Sequence, residues 1–135
     1  MNFRGTIIEE SLEDRKALQI VDVQSTKVKP VTANHQTPWL KQWTIHTILV
    51  PEAKAAEVAE MVSRAIDPHR SGSWYVEFNN DKKHYIIFRN KVFVIDAGNN
   101  AQYDEAVDYG LAIGIPRDQL DFKRVPAPFS KHWTS

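Results

Sequence analysis

The sequence predicts an α+β fold: a mostly antiparallel sheet of five to six strands, with two main amphipathic helices packed on one face. Three observations predict it. Residues 73–96, SWYVEFNNDKKHYIIFRNKVFVID, hold three short aromatic and β-branched runs parted by two polar turns, the pattern of an antiparallel meander. Two other stretches, 51–66 and 103–111, repeat apolar residues every three or four positions, as one helix face requires. Strands come in runs with few helices between them, which favours α+β.

The elements follow in order. Phe3 to Glu9 reads as a strand, with Phe3, Gly5 and Ile7 alternating against Thr6 and Ile8. Ser11 with Asp14 three residues on predicts a capping box opening a short helix to about Leu18. Ile20, Val21 and Val23 lead into a second strand that fades at Lys29-Pro30. Pro30 has no amide hydrogen for a ladder, so it belongs at an edge or an end. Thr32 to Pro38 is a polar loop. Trp39 to Val50 is the next strand, with Trp43, Ile45, Thr47 and Leu49 on one face and Gln42, Thr44, His46 and Ile48 on the other.

Pro51 suits a first helical position, where its missing N–H has no partner to lose. Glu52 complements the positive end of the helix. Ala55, Val58, Met61 or Val62, and Ala65 or Ile66 form its apolar stripe, and Asp67-Pro68 stops it. In the meander, a three-residue loop at Asn80-Asp81-Lys82 sets Asn79 opposite Lys83. Trp74, Val76, Phe78, Ile86, Phe88, Phe93 and Ile95 then share the core face. Tyr75, Glu77, Tyr85, Ile87, Arg89, Val92 and Val94 take the other. Tyr103, Ala106, Val107, Gly110 and Leu111 mark the second helix, Gly114 caps it, and Pro116 prevents its continuation. Leu120 and Phe122 dock a last short segment. Residues 1–122 form a single domain in this reading. Residues 123–135 are a basic, proline- and aromatic-containing tail, with Phe129 and Trp133 suited to docking.

Composition narrows the function classes. The chain has 135 residues, 42% hydrophobic and 25% charged, the balance of an ordinary globular domain. Lysine plus arginine equals aspartate plus glutamate at 17 each, so no long-range field draws it to nucleic acid. There is no cysteine, which excludes disulfides and thiolate chemistry. The acid-rich MNFRGTIIEESLEDRK has no apolar core of a secretory signal, and no apolar run nears the roughly 18 residues that span a bilayer. The expectation is a cytoplasmic protein, with no membrane partner and nucleic acid disfavoured.

No strong catalytic motif is present. The five glycines fall in neither a phosphate-loop nor a dinucleotide spacing, and HExxH and GxSxG are both missing. The histidines at 35, 46, 69, 84 and 132 are never three or four apart, so no helix offers a histidine pair to a metal. His46, His84 and Glu77 approximate a two-histidine, one-carboxylate set, but the meander register above puts His84 and Glu77 on opposite faces. No metal and no cofactor are therefore expected.

The constellation with the most chemistry is the outer face of the meander: Tyr75, Glu77, Tyr85 and Arg89. Cross-strand neighbours lie about 5 Å apart, so these would cluster. Glu77 would bond Tyr85, and Arg89 would hold a carboxylate or phosphate in a forked contact. His46 would join them if its strand pairs with the meander. The plain alternative is a solvated sheet face. Ile87, Val92 and Val94 make it more apolar than solvent demands, which points to cover by a helix, the tail or a partner. In TPWLKQW, Trp39 follows a proline in a loop and offers a flat stacking surface, whereas Trp43 reads as core.

The runs TPWLKQWTIHT, GSWYVEF and HYIIFRNKVF resemble a group of small prokaryotic proteins of uncharacterised function. The resemblance covers residues 1 to about 122. It implies no activity and carries over no functional residue.

These features lead to a non-enzymatic binding or interaction module that uses the outer sheet face and the Trp39 loop. Its partner is an unknown small ligand or protein, a homodimer through that face being one version. The alternative is a small-substrate enzyme, with Glu77 or His46 as general base, Tyr75 or Tyr85 as donor and Arg89 as anion anchor. Single-stranded nucleic-acid binding on an aromatic sheet face ranks third.

Overall fold

The computed structural model describes residues 1–30, 42–67, 74–122 and 124–125. Strands β1 (Phe3–Ile8), β2 (Asp22–Pro30), β3 (Gln42–Val50), β4 (Tyr75–Asn79), β5 (Lys83–Phe88) and β6 (Lys91–Asp96) form one sheet in the order β2-β3-β1-β4-β5-β6. Every neighbouring pair is antiparallel. Helix α1 (Ala55–Ala65) follows β3, and helix α2 (Asn100–Ala112) follows β6. The α+β class is as the sequence predicts. Because β3 and β4 flank β1 and both run against it, β3–α1–β4 is a split β-α-β unit with β1 in its middle.

One prediction about the layers is corrected. The two helices do not share a face of the sheet. Val58, Val62 and Ile66 of the α1 region pack on Phe3, Ile7, Ile48, Val76, Phe78, Tyr85 and Ile87. Tyr103, Ala106 and Val107 of α2 pack with Ile86, Phe88 and Ile95, the alternate residues of the same strands. Alternation along a strand sends these two sets to opposite sides. The run His84–Phe88 is buried at every position, as a strand covered on both faces must be.

The cause of the misplacement is one residue. β4 and β5 are joined by a two-residue turn, Asp81-Lys82, and not by a three-residue loop. The Asn80 amide donates to the Lys83 carbonyl, while the Asn80 side-chain oxygen accepts from the Lys82 and Lys83 amides, each at 2.8 Å. Asn79 therefore faces His84, and Phe78 faces Tyr85. A one-residue slip moves every side chain of one strand to the other face relative to its neighbour. The β5–β6 pairing keeps Phe93 and Ile95 on the face of Ile86 and Phe88 as predicted, but the turn is Arg89-Asn90 and not Asn90-Lys91, so Ile86 lies opposite Phe93 and Phe88 opposite Lys91. The tight turn there is carried by Asn90, at φ 59.

The helices match their sequence patterns more closely. In α1, Ala55, Val58, Val62 and Ala65 are buried; Glu57, Glu60 and Arg64 are exposed. Its first turn, Glu52–Lys54, is 3-10. The Asn99 side chain caps α2 by accepting from the Gln102 amide. Gly114 sits past its end at φ +95, a conformation that favours glycine. The predicted Ser11 box is absent. Ser11 Oγ donates to the Ile8 carbonyl instead, and Asp14 caps a separate 3-10 turn, Arg15–Gln19.

Gly5 lies opposite Phe78 in the β1–β4 pair. A Cβ there would collide with the Glu77 carbonyl oxygen and stand 2.6 Å from Phe78 Cβ. The requirement at this position is for space, not for a positive φ.

Candidate functional site

The predicted cluster Tyr75, Glu77, Tyr85 and Arg89 is split by the register. Tyr75 and Glu77 point to the α2 side; Tyr85 and Arg89 belong to the α1 side. Tyr85 is a core aromatic, with ring centroids 4.9 Å from Phe78 and 5.2 Å from Phe3. Glu77 therefore has no bond to Tyr85 and none to Arg89. Trp39 lies outside the described residues.

Arg89 is not a free anion anchor. Its Nη1 donates to the Ile66 carbonyl at 2.6 Å and to the Arg64 carbonyl at 3.3 Å, satisfying the open C-terminal end of α1. Glu13 lies 3.9 Å away. Arg89→Ala is accordingly expected to lower stability by about 1–2 kcal/mol, measured by urea titration. An unchanged midpoint would show that the carbonyls find water at no cost.

His46 is separated from the meander by β1 and faces the α1 side. It is one member of a three-part chain. Its Nδ1 is 2.8 Å from Thr26 Oγ1 on β2, directly across the strand pair, and its Nε2 is 3.0 Å from Glu9 Oε1. Arg15 holds the other Glu9 oxygen at 2.8 Å. Neighbouring Glu10 accepts from the Thr44 amide and hydroxyl. Both ring nitrogens are thus occupied, and the ring is fixed in orientation. Thr26 and Glu9 lacked any sequence signal, because neither belongs to a spaced motif.

On the α2 side the structure assembles a second polar group. Glu77 shares its face with His84, which the sequence reading had set apart from it. Glu77 Oε2 and His84 Nε2 are 3.7 Å apart, both buried and both without a hydrogen-bond partner. His84 Nδ1 meets Tyr103 Oη at 2.7 Å. Tyr75 donates its hydroxyl to the Gln119 carbonyl. Among the described residues, no three His, Asp or Glu side chains come together as a metal-holding group.

Both phenols have raised pKa values. Burial raises Tyr75 furthest, with the charges of Glu77 and Asp121 adding to it. Burial also raises Tyr103; Glu77 adds to this, while the Val125 amide and Arg124 oppose it. An unfolded tyrosine ionises near its ordinary 10.0, before the folded one does. The contribution is therefore complete below pH 10 and is lost as the pH climbs towards the folded values. Thermal melts taken above about pH 10 should show a falling midpoint, less steep in Tyr75→Phe. A flat profile would mean that neither phenol is desolvated.

Among the described residues, the second layer on the α2 side covers only part of the sheet. Over β5 and β6 lie α2 and Ile115, Leu120 and Phe122. Over β2, β3 and β1 the same face presents Ile8, Ile45, Thr47 and Leu49, all half-buried, with Thr6 exposed among them. The exposed cations Lys27 and Lys29 border it on one side and Arg4 on the other. Among the described residues, Arg4, Lys27 and Lys29 enter no ion pair. Trp43, on the same strand, is partly buried with its ring 5.8 Å from that of Trp74. Comparison with protein-family models, with curated proteins and with solved structures returns no match.

Proposed function

We propose that the protein is a non-enzymatic binding module whose site is the open half of the sheet on the α2 side. The observation that carries this is the apolar pair Ile45 and Leu49 with Thr47 between them, half-buried on the α2 side and edged by Arg4, Lys27 and Lys29. Sheets bury their apolar faces under a second layer. Among the described residues, that layer does not extend over β1, β2 and β3. The occupant that fits is an α-helix of a partner protein, with an apolar stripe flanked by carboxylates, lying beside α2. Its stripe would cover the apolar pair, and its acids would meet the cations. A second copy of this chain fits less well, since its own Arg4, Lys27 and Lys29 would face like charges.

The test is backbone amide NMR with a synthetic helical peptide carrying leucines at i, i+3, i+4 and i+7 and glutamates beside them. Shifts should map to β1, β2 and β3 and weaken with added salt. The Lys27→Glu, Lys29→Glu double variant should abolish them. Equal shifts from a lysine-flanked peptide, or from a single-stranded oligonucleotide, would overturn the reading.

One observation favours a second, enzymatic reading. The Thr26–His46–Glu9 chain has the order hydroxyl, imidazole, carboxylate, in which a histidine acts as general base. In that reading His46 is the base and Thr26 the group it activates. The version with Glu77 as base and Arg89 as anchor fails, because the two lie on opposite faces. Acetylation by p-nitrophenyl acetate that disappears in both Thr26→Val and His46→Gln would favour the enzyme. Unchanged labelling would remove it.

A further inference from the structure

His84 is wholly buried on β5 and faces α2. A neutral imidazole has one N–H and one acceptor nitrogen. Tyr103 Oη already accepts the Val125 N–H at 2.8 Å, so its own O–H is free to donate to His84 Nδ1 at 2.7 Å. The ring proton then sits on Nε2, aimed at Glu77 Oε2 across the 3.7 Å gap. That gap is too long for a hydrogen bond. An unpartnered donor and an unpartnered carboxylate oxygen face each other inside the protein.

We propose that this pair is a proton-operated latch on the C-terminal segment. One proton added to His84 makes both ring nitrogens donors. Nε2–H then draws Glu77 into a direct ion pair and closes the gap. Nδ1–H must now donate to Tyr103 Oη. That oxygen already carries its own hydrogen and the Val125 N–H. The oxygen can accept both, but its own hydrogen, turned away from the imidazolium, swings towards the side where the Val125 N–H donates, and that amide is the one displaced. Val125 is buried, its carbonyl accepts from the Gly98 amide, and its neighbour Arg124 pairs with Asp104 and Asn100 on α2. Proton uptake therefore loosens this segment from α2.

The charged and titratable groups around the latch come from each packed element. β4 supplies Glu77, α2 supplies Tyr103, and the C-terminal segment supplies Arg124. Arg124 lies 5.2 Å from the Tyr103 ring centre and is tied to Asp104. The residues directly across from His84, Asn79 on β4 and Ile95 on β6, carry no charge. Among the described residues, Glu77 is the carboxylate that faces His84. Its side chain, 26% exposed, gives the buried pair a route to solvent on the open half of the sheet.

The test uses the intact protein. Imidazole nitrogen NMR during an acid titration should show His84 pass from the Nε2–H tautomer to an imidazolium while the protein is still folded. Hydrogen exchange at the Val125 amide should rise about tenfold or more with the same midpoint. Glu77→Gln should move that midpoint to lower pH, and His84→Gln should remove it from Val125. If either variant fails to fold, the wild-type titration still decides. A Val125 amide that stays protected while His84 titrates overturns the proposal. So does one that follows the midpoint of His46, or a His84 that remains neutral until the protein unfolds.

Discussion

Phe88→Ala is expected to remove about 3–5 kcal/mol of stability, a large part of what a domain of this size possesses. Phe88 is fully buried at the end of β5. Its ring centroid lies 5.0 Å from Tyr109, 5.9 Å from Tyr75 and 5.9 Å from Phe93. It thus joins three elements, β4, β6 and α2, in one aromatic group. Its carbonyl also accepts from buried Ser63 Oγ on α1, so the strand is held from both sides at this residue. Truncation leaves a ring-sized void that strand backbone cannot collapse into. Urea titration should give a much lower midpoint with little change in slope. The loss of near-ultraviolet signal from Tyr75 and Tyr109 should precede or accompany it. A variant that melts within a few degrees of the parent would mean that α2 does not depend on this contact.

Gly5→Ala is the second large effect, and the smaller change in chemistry makes it the sharper test. One methyl group would have to occupy the space held by the Glu77 carbonyl and the Phe78 Cβ. Neither is the flexible end of a side chain. β1 and β4 would have to part, and these strands join the two halves of the sheet. Phe78 would also leave its packing against Phe3 and Tyr85. Overpacking of this kind costs about 3 kcal/mol or more where backbone cannot move. Circular dichroism and denaturant titration would measure it. If Gly5→Ala folds with parental stability, the β1–β4 pairing differs from the register described above.

Much of this architecture was legible in the sequence. The six strands, both helices, the α1 stripe and the β5–β6 pairing each have a local cause: alternation, helical periodicity, or a turn residue such as Asn90. The β4–β5 pairing also has a local cause, but a subtler one. Whether Asn80 sits inside the loop or closes it depends on its side chain capturing two amides. Composition alone does not distinguish these. From that one position followed the false grouping of Tyr75 with Arg89 and the false separation of Glu77 from His84. The continuous apolar run HYIIF did carry a warning, since a half-solvated strand alternates and this one does not. The Thr26–His46–Glu9 chain was beyond reach, because its members meet only through the β2–β3 pairing and the turn after β1.

The central place of β1 also bears on the time course of folding. It precedes both of its partners in the chain, β3 and β4, which end at Val50 and Asn79. The middle of the sheet cannot close until β4 has been made, through Asn79. Until then β1 and β2 can pair only with β3 among the described strands, and Phe3 and Ile7 lack the cover of α1 and β4. Pairings between distant segments slow folding and lengthen the exposure of apolar strands. The nascent chain is therefore most exposed to chaperones and to aggregation while α1 is being synthesised, between the completion of one edge of β1 and the arrival of the other.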